Sequence, residues 1–487
     1  MRTLLTTKEI RLAEQMAISM GKTELELMRE AAEGLAQSAN FVDKKTVIFC
    51  GSGKNGGDGL ALACLLQSKG CDVVVFLISN DLCSEAKHFF DKYCKLGGKY
   101  RNYNKNAEIV ADIIVDCIFG TGLNRDVSGL AYDAVCTINN SKAYVISADV
   151  PSGLNVDLGS IMGVAVKADI TVSFSGCKFC YEYGFGKDLC GQIRYADMSI
   201  PAIENNIFAL EESDIELTKR DFCSHKGSNG KVYIIAGSPC YIGSALLAES
   251  AATAALKTGA GLVTLVVPFS LREVYQKRVT EATLMFLPDV DGKIIFDKGQ
   301  FDKIISGADV IAIGMGLGQN DELFDMVKYL TEKFRKPIIL DADAINCLQG
   351  RPIELNSNVI LTPHIKEFER VLGRKISNAI EDGRDFCRRT GAILHLKSSC
   401  SLTFSPSCDE ILANISLGSE LAKGGSGDVL SGIAAAIVVG RDDLARAVAE
   451  AAEVHRRTAH CLTERENERS ILASEIVQNL GKYLKNI

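Results

Sequence analysis

Short, uninterrupted apolar runs recur through both halves of the chain, and most are followed by a longer segment of helical periodicity. Runs of about four to eight apolar residues are typical of strands buried on both faces. The pattern predicts strands at 46–50, 73–78, 113–117, 143–148 and 170–174 in the first half, and at 232–236, 262–267, 310–313, 338–341, 359–362 and 393–396 in the second. Because the strands alternate with helices, we predict an α/β protein with parallel sheets, built as two three-layer αβα domains.

This alternation is interrupted between residues 200 and 222. The stretch contains Pro201 and charged runs at 211–214 and 219–221, and it has little apolar periodicity. A chain of 487 residues also exceeds the usual size of one compact domain. We therefore predict two domains, 1–212 and 213–487.

Composition and charge narrow the class of protein. The chain is 47% hydrophobic and 24% charged, which is typical of a globular protein, and its net charge is −7. Without a basic cluster, we expect no nucleic acid and no anionic membrane as partner. No apolar stretch approaches a membrane span, and the first ten residues lack the apolar core of a signal peptide. We therefore expect a cytoplasmic location.

The 17 cysteines lie mostly inside apolar runs, so we expect reduced and buried thiols. Cys177 and Cys180 form one CxxC pair. A zinc site of this type would need a second such pair, which the sequence lacks. The cysteines therefore indicate neither a disulfide framework nor a zinc centre.

One glycine-rich segment of the second half, 421–432, combines the features of an anion-binding site. Gly424, Gly425 and Gly427 let the backbone approach an anion, and the apolar helix that follows directs free N–H groups at it. A plain glycine-rich helix start would explain these glycines, but not the carboxylate of Asp428 beside them. The segment resembles the anion hole and catalytic base of ribokinase-type phosphoryl transfer.

A second glycine cluster follows the first predicted strand. Gly51, Gly53 and Gly56 match the dinucleotide-binding fingerprint, and Asp81 beyond the next strand is the acidic residue that this fingerprint requires. Asp58 is left unexplained, since a carboxylate at the start of a helix repels a pyrophosphate. The fingerprint alone therefore does not account for the loop.

Three aspartates, Asp58, Asp116 and Asp149, follow predicted strands of the first half. The carboxyl ends of parallel strands meet at one edge of a sheet, so we expect these side chains to lie together in a site. Taken singly, each aspartate is more often a turn or helix-cap residue than a site residue, and it is the three together that favour a site.

The first two hundred or so residues resemble the NAD(P)HX epimerase domain, a Rossmann-like fold, through segments 55–59, 116–123 and 148–154. The resemblance implies a potassium ion held by Asn55, Asp116 and Ser152, and an acid/base role for Asp149. It also implies substrate contacts from Lys54, Asn55, Gly56, Gly57, Asp58, Gly120, Thr121, Gly122, Leu123, Asn124, Arg125, Asp126 and Asp149. Lys54 departs from this family, which usually has asparagine there.

The remaining residues resemble the NAD(P)HX dehydratase, a ribokinase-like fold, through segments 225–231, 237–248, 259–264, 314–318, 341–344, 361–364 and 423–432. The resemblance implies ADP or ATP, with magnesium, as phosphoryl donor, and Asp428 as the base that deprotonates the C6 hydroxyl of the hydrate. It implies substrate contacts from Ala245, Gly318, His364 and Asp428. It implies nucleotide contacts from Lys397, Ser398, Ser399, Cys400, Ser401, Gly424, Gly425, Ser426 and Gly427. The serines and cysteine after Lys397 replace a glycine-containing stretch of the family.

In this order the two halves resemble the bifunctional NAD(P)H-hydrate repair enzymes. Such an enzyme would epimerise the R and S forms of the small molecules NADHX and NADPHX and dehydrate the S form at the expense of ADP or ATP. We also expect a homo-oligomer, of an order that the sequence leaves open. Two alternatives remain: a vitamin or sugar kinase, which would leave phosphate on its product, and a first domain that binds a dinucleotide without catalysis.

Overall fold

The structure is a computed structural model that describes residues 1–203, 205–239, 242–351 and 354–487, with the backbone alone at 242–246. The chain divides into two compact units: Thr3–Asn205, and Met1–Arg2 together with Asn206–Ile487. The division comes earlier than the predicted boundary at 212/213, because residues 207–209 form a strand in the sheet of the second unit. The N-terminal amine lies 2.8 Å from the Asp214 carboxylate of that unit.

Strands and helices are numbered here along the chain. The strands are β1 (Arg2–Thr3), β2 (Thr46–Cys50), β3 (Val73–Leu77), β4 (Lys99–Asn102), β5 (Ile113–Cys117), β6 (Tyr144–Ala148), β7 (Ile170–Ser173), β8 (Gln192–Tyr195), β9 (Ile207–Ala209), β10 (Lys231–Ile235), β11 (Leu262–Pro268), β12 (Thr283–Leu287), β13 (Asp289–Val290), β14 (Lys293–Ile294), β15 (Val310–Ile313), β16 (Ile338–Leu340), β17 (Val359–Leu361), β18 (Ile393–Leu396), β19 (Cys400–Phe404) and β20 (Ile411–Ile415). The helices are α1 (Thr7–Ser19), α2 (Glu24–Gln37), α3 (Lys54–Ser68), α4 (Ser84–Lys95), α5 (Gly129–Asn139), α6 (Phe179–Glu182), α7 (Gly186–Leu189), α8 (Ile242–Thr258), α9 (Arg272–Arg278), α10 (Lys298–Gly307), α11 (Asp321–Lys333), α12 (Ala342–Asn346), α13 (Ile365–Leu372), α14 (Ala379–Thr390), α15 (Ser426–Ile437), α16 (Leu444–Leu462) and α17 (Ala473–Leu484).

The first unit is built on a seven-stranded sheet in the order β4-β3-β2-β5-β6-β7-β8. All its strand pairs are parallel. Two separate apolar clusters cover its faces, one around Ile48 and Leu60 and the other around Phe49 and Ile114. The strand order reverses between β2 and β5, and in such sheets ligands bind in the crevice at the carboxyl ends of the strands on either side of the reversal.

The second unit has an eleven-stranded sheet in the order β1-β9-β20-β19-β18-β17-β16-β15-β10-β11-β12. The pairs from β18 to β12 are parallel, whereas β19 is antiparallel to both β18 and β20. Helices α8, α15 and α16 supply the alanine-rich side of the main core of this unit. Because α15 packs closely on α8, a Cβ atom at Gly432 would lie 2.1 Å from the carbonyl oxygen of Ala251.

The predicted α/β class and all eleven predicted strands are confirmed, with ends that shift by a residue or so. The predicted parallel sheets are confirmed, with antiparallel pairing at β19 and in the small β13–β14 pair among the described residues. Only three residues, 397–399, connect β18 to β19, which is too short for the crossover that a parallel neighbour requires. In the described part of the chain, no helix combines the length and apolarity needed to cross a membrane.

Candidate active sites

The glycine loop of the first unit lies between β2 and α3, and three of its glycines are required by close packing. A Cβ atom at Gly51 would lie 2.0 Å from the carbonyl oxygen of Ile118, and one at Gly56 would lie 2.0 Å from that of Gly51. At Gly59 it would lie 2.7 Å from Cβ of Cys117. At these distances, the start of α3 lies directly against the end of β5. Two of the three fingerprint glycines, Gly51 and Gly56, therefore have a structural explanation within the fold, whereas a Cβ atom at Gly53 would meet no described atom within 4 Å.

Asp116, at the end of β5, is fully buried among neutral donors. Its carboxylate accepts hydrogen bonds from the Ser152 backbone N–H at 2.8 Å, the Ser152 hydroxyl at 2.5 Å and the Ser147 hydroxyl at 3.0 Å. A longer bond comes from the N–H of Ile118 at 3.2 Å. Burial raises the pKa of Asp116, and the bonds from Ser152 act in the opposite direction.

Asn55 lies in the first turn of α3. Its side chain is 9% exposed, and its Nδ2 has no hydrogen-bond partner in the described part of the chain. A Cβ atom at Gly120 would lie 3.2 Å from Oδ1 of Asn55. The structure thus places Asn55 at Gly120, the first residue of the predicted substrate loop.

Asp149 is held in place by a lysine that the sequence did not reveal. Its backbone has a φ of 63°, in the left-handed region that non-glycine residues rarely occupy. Lys178 is fully buried and donates to Oδ1 of Asp149 at 2.7 Å and to the Ser173 hydroxyl at 2.8 Å. The Tyr181 hydroxyl donates to the Asp149 carbonyl at 2.5 Å. Backbone conformation and side chain are therefore both fixed from the segment 173–181.

Two further carboxylates, Glu14 and Asp58, line a cavity of about 70 Å³ in the same unit, together with Lys54. Burial raises the pKa of Asp58 well above its usual range, and the negative charges of Asp149 and Glu14 add to the effect. Burial followed by Asp149 likewise raises the pKa of Glu14. A neighbouring cavity of about 400 Å³ shares Phe174, Met198 and Ile200 with the first, but neither carboxylate is among the residues that line it.

Of the other predicted residues of the first unit, Lys54 lines this cavity, whereas residues 120–126 are not among those that line it. Lys54 forms an ion pair with Glu24 at 2.6 Å at its exposed rim, while Gly57 packs its backbone against Met28. The predicted loop is half buried at Gly120, Thr121 and Leu123 and exposed at Gly122, Asn124, Arg125 and Asp126.

In the second unit, α15 starts directly at the predicted anion hole. Gly425 precedes it with a φ of 90°, a left-handed conformation that favours glycine. A Cβ atom at Gly427 would lie 3.4 Å from Nζ of Lys397 and 3.9 Å from Oδ2 of Asp341. Asp428 follows in the first turn of the helix. The free N–H groups of the helix start, a lysine and two carboxylates therefore meet at this point.

Asp341 organises this cluster. It is 2% exposed, and its two oxygens accept from Lys397 Nζ and from the Ser431 hydroxyl, both at 2.8 Å. Burial and then the negative charge of Asp341 raise the pKa of Asp428 to about 7, while Lys397 acts in the opposite direction. Burial by itself would lower the pKa of Lys397, but Asp341 outweighs it and the pKa is raised. At neutral pH, the cluster thus contains a charged lysine and an aspartate poised to exchange a proton.

A cavity of about 570 Å³ opens beside the start of α15, a volume in the range of small-molecule and cofactor sites. Its lining contains three cationic side chains, Lys397, Lys423 and Arg456, and no carboxylate. Predicted residues that line it are His364, Lys397, Ser398, Ser399, Ser401, Ser426 and Gly427. The charge of the lining favours an anionic ligand.

The remaining predicted residues lie elsewhere. Cys400 is fully buried in β19 and does not line the cavity, nor do Gly424 and Gly425. Gly318 donates its N–H to Asp343 at 2.7 Å. Ala245 lies in α8, and its side chain is outside the described residues.

His364 has a structural role as well as a place in the cavity wall. It caps α13, with Nδ1 accepting from the Glu367 N–H at 3.2 Å. The capped-turn role that the sequence also allows is therefore present, and the exposed half of the ring remains available to a ligand.

Sequence reasoning missed Glu14, Lys178 and Asp341 as site residues. Asp341 could have been found, because it ends a predicted strand and chemistry gathers at strand ends. Glu14 and Lys178 carry no such signal, since only folding brings α1 and the segment before α6 to the crevice. The described cysteines are free thiols, and no group of three metal-ligating His, Cys, Asp or Glu side chains occurs among the described residues.

Two family models match the chain in the order of its two units. One, described as YjeF-related protein N-terminus, covers residues 24–180. The other, described as NAD(P)H-hydrate dehydratase, covers residues 232–482, which is more than half of the chain. The matches fall on the two halves that the sequence motifs single out.

Full-length relatives carry both parts. A bifunctional NAD(P)H-hydrate repair enzyme of Moorella thermoacetica is 31% identical over 472 residues, 91% of this chain and 88% of that protein. Proteins of the same description from Dictyoglomus turgidum and Vibrio cholerae are 33% identical over 464 residues and 30% identical over 496 residues, covering 89% and 98% of this chain and 88% and 97% of the relatives. A ribokinase-like superfamily protein from Enterococcus faecalis has a TM-score of 0.51 at 23% identity, covering 59% of this chain and 98% of its own, which supports the fold alone.

Proposed function

Because the chain belongs to the family of bifunctional NAD(P)H-hydrate repair enzymes, we propose that its two units catalyse consecutive steps on one damaged cofactor. The first unit epimerises NAD(P)HX, and the second dehydrates the S epimer at the expense of ADP or ATP. The observation that carries the proposal is Asp428, with a pKa of about 7, beside a carboxylate-free cavity at a helix start.

In the dehydration step, ionised Asp428 takes the proton of the C6 hydroxyl, whose oxygen attacks the terminal phosphoryl group of the nucleotide. The bond between that phosphorus and its bridging oxygen breaks, and the nucleotide leaves one phosphate shorter. Phosphate then departs from C6 and a proton leaves C5, which restores the double bond of the nicotinamide ring. Lys397 and the N–H groups at Gly427 lie where negative charge develops on the transferred phosphoryl group.

For the phosphoryl donor, the lining of Lys397, Lys423 and several serines suits the phosphates of ADP or ATP. Magnesium bound to the nucleotide would neutralise part of their charge and hold the phosphates in position. Gly424, Gly425 and Ser426 form the turn that leads into α15, and we assign them to the anion hole on this ground.

In the first unit, we assign proton exchange at the substrate to Asp149, supported by Lys178. The ammonium at 2.7 Å stabilises the ionised carboxylate and fixes its orientation. Burial raises the pKa of both Asp58 and Glu14 in the same crevice, which favours their protonated forms. Carboxyl groups held in different environments beside one substrate are suited to breaking and remaking the bond at C6.

The oxygen-rich donor set of Asn55, Asp116 and Ser152 fits a potassium ion. Asp116 is buried and receives only neutral hydrogen bonds, and Asn55 offers an amide oxygen, Oδ1, next to Gly120. Hard oxygen ligands of this kind suit alkali and alkaline-earth cations. Bound there, the ion would supply a positive charge that balances the carboxylate of Asp116.

Location in the cytoplasm and assembly into a homo-oligomer remain predictions.

The test is incubation of the purified protein with an R and S mixture of NADHX, with ADP, with ATP and without nucleotide. We expect complete conversion to NADH with nucleotide, because the epimerase replenishes the S form, together with free inorganic phosphate. Conversion that stops once the S form is consumed would refute the assignment of epimerase activity to the first unit. A product that retains the phosphate would instead identify a kinase.

A further inference from the structure

Four polar side chains form one wall of the large cavity in the second unit, and we call them the inner wall: His395, Asn414, His455 and Arg456. Their exposed fractions are 0%, 4%, 4% and 5%, so they are nearly removed from solvent. His395 comes from β18, Asn414 from β20 and the other two from α16. None of them belongs to the glycine-rich anion hole.

Each inner-wall residue has one polar atom without a hydrogen-bond partner among the described residues: Nε2 of His395, Oδ1 of Asn414, Nε2 of His455 and Nη1 of Arg456. Buried polar atoms are nearly always satisfied, because leaving one unpaired costs about 1–3 kcal/mol in general. Four orphaned atoms on one cavity wall therefore indicate a ligand that satisfies them.

Other bonds fix the direction of these atoms. The amide Nδ2 of Asn414 donates to the Ala449 carbonyl and to Glu453, both at 3.0 Å, so its oxygen is the atom left without a partner among the described residues. The Nδ1 atom of His395 is 2.8 Å from the Thr403 hydroxyl. Arg456 donates through Nε to Glu453 at 3.1 Å, which leaves Nη1 free.

The inner wall is almost uncharged, unlike the start of α15. Burial, then the charge of Lys397, lowers the pKa of both His395 and His455 to about 3, so both rings are neutral at pH 7. Glu453 offsets the charge of Arg456. The oxygen of Asn414 would repel a phosphate oxygen. A surface that offers donors and an acceptor without net charge matches the hydroxyls of a ribose or the edge of a nucleobase.

We propose that the inner wall is the nucleoside-recognition surface of this cavity, which hydrogen-bonds the ribose or base of the nucleotide while the start of α15 and Lys397 hold its phosphates. The inference rests on the proposed function in that a nucleotide must occupy the cavity. It makes His395, Asn414, His455 and Arg456 specificity-determining residues rather than catalytic ones.

The experiment measures dissociation constants of the full chain by calorimetry for ADP, 2′-deoxy-ADP, IDP and pyrophosphate. The variant is His455→Phe, which keeps the ring shape, and the control is His460→Phe, a half-exposed residue of the same helix outside the cavity lining. We expect His455→Phe to weaken ADP about fivefold to tenfold, the effect of one lost hydrogen bond, and to leave pyrophosphate within twofold. The control should change neither constant.

Equal weakening of ADP and pyrophosphate in His455→Phe would overturn the proposal, because the wall would then contact phosphate. Unchanged binding of ADP in His455→Phe would also overturn the proposal. The ligand series tests the proposal in the wild type, without a variant, because 2′-deoxy-ADP or IDP must bind more weakly than ADP. Weaker binding of 2′-deoxy-ADP indicates recognition of the ribose, and weaker binding of IDP indicates recognition of the base. If ADP, 2′-deoxy-ADP and IDP all bind no better than pyrophosphate, the proposal fails. Failure of the wild type to bind any nucleotide would instead refute the proposed function.

Discussion

Replacing Asp341 by asparagine should change the pH dependence of dehydration without removing the base. Asparagine keeps the shape of the side chain and an oxygen that still accepts from Lys397, but it removes the negative charge. The charged or ionisable groups that act on Asp428 are Asp341, Lys397 and Tyr275, and burial keeps Tyr275 neutral by raising its pKa. With the charge of Asp341 gone, the charge of Lys397 is also no longer balanced by it, and both changes lower the pKa of Asp428.

The size of the effect follows from the pKa of about 7. A base with this pKa is ionised in about one tenth of the molecules at pH 6 and about nine tenths at pH 8, so wild-type kcat should rise about tenfold between them. In the variant, burial still raises the pKa of Asp428, but the contribution of Asp341 is gone, so a larger share of Asp428 is ionised at pH 6. The ratio of the rates at pH 8 and pH 6 should therefore fall clearly below about ten.

The assay follows NADH formation from (S)-NADHX at saturating nucleotide between pH 5.5 and 8.5. Ser431→Ala is the matched control, since it removes the other hydrogen bond to Asp341 but keeps its charge, and its ratio should match the wild type. Because each ratio is internal to one variant, a general loss of activity does not affect it. A ratio near ten in Asp341→Asn would refute the electrostatic coupling, and a flat wild-type profile would refute Asp428 as the base.

The remaining predictions concern both units. Asp428→Asn should lower nucleotide-dependent dehydration about a hundredfold or more while the epimerase, followed by chromatography of the two epimers, stays normal; equal loss of both would indicate misfolding. Asp149→Asn should abolish epimerisation but leave substrate binding measurable by calorimetry, and lost binding would point to a structural role. Epimerase activity should fall when potassium is replaced by choline, and Asp116→Ala should make the rate insensitive to the exchange; equal potassium dependence in this variant would remove the ion from the site. Fragments separated between Asn205 and Asn206 should each fold and keep their own activity, as circular dichroism and the two assays would show, whereas aggregation of both would argue for a shared core.

Local pattern determined much of this protein. Apolar runs located the buried strands, because a strand covered on both faces must be continuously apolar. The glycine clusters and the aspartates that follow strands predicted that Asp116, Asp149 and Asp428 lie at sheet edges, because the carboxyl ends of parallel strands meet there. The motifs and their order also indicated the family, which the comparisons confirm.

Tertiary structure decided what surrounds those residues. No local pattern predicts that Lys178 reaches Asp149 or that Lys397 is held by Asp341, because the partners are 29 and 56 positions apart in sequence. The antiparallel β19 and the four-residue inner wall likewise depend on which elements pack together. Charge, burial and hydrogen bonding are properties of that packing, so the pKa of Asp428 and the unpaired atoms of the cavity arise only when the chain is folded.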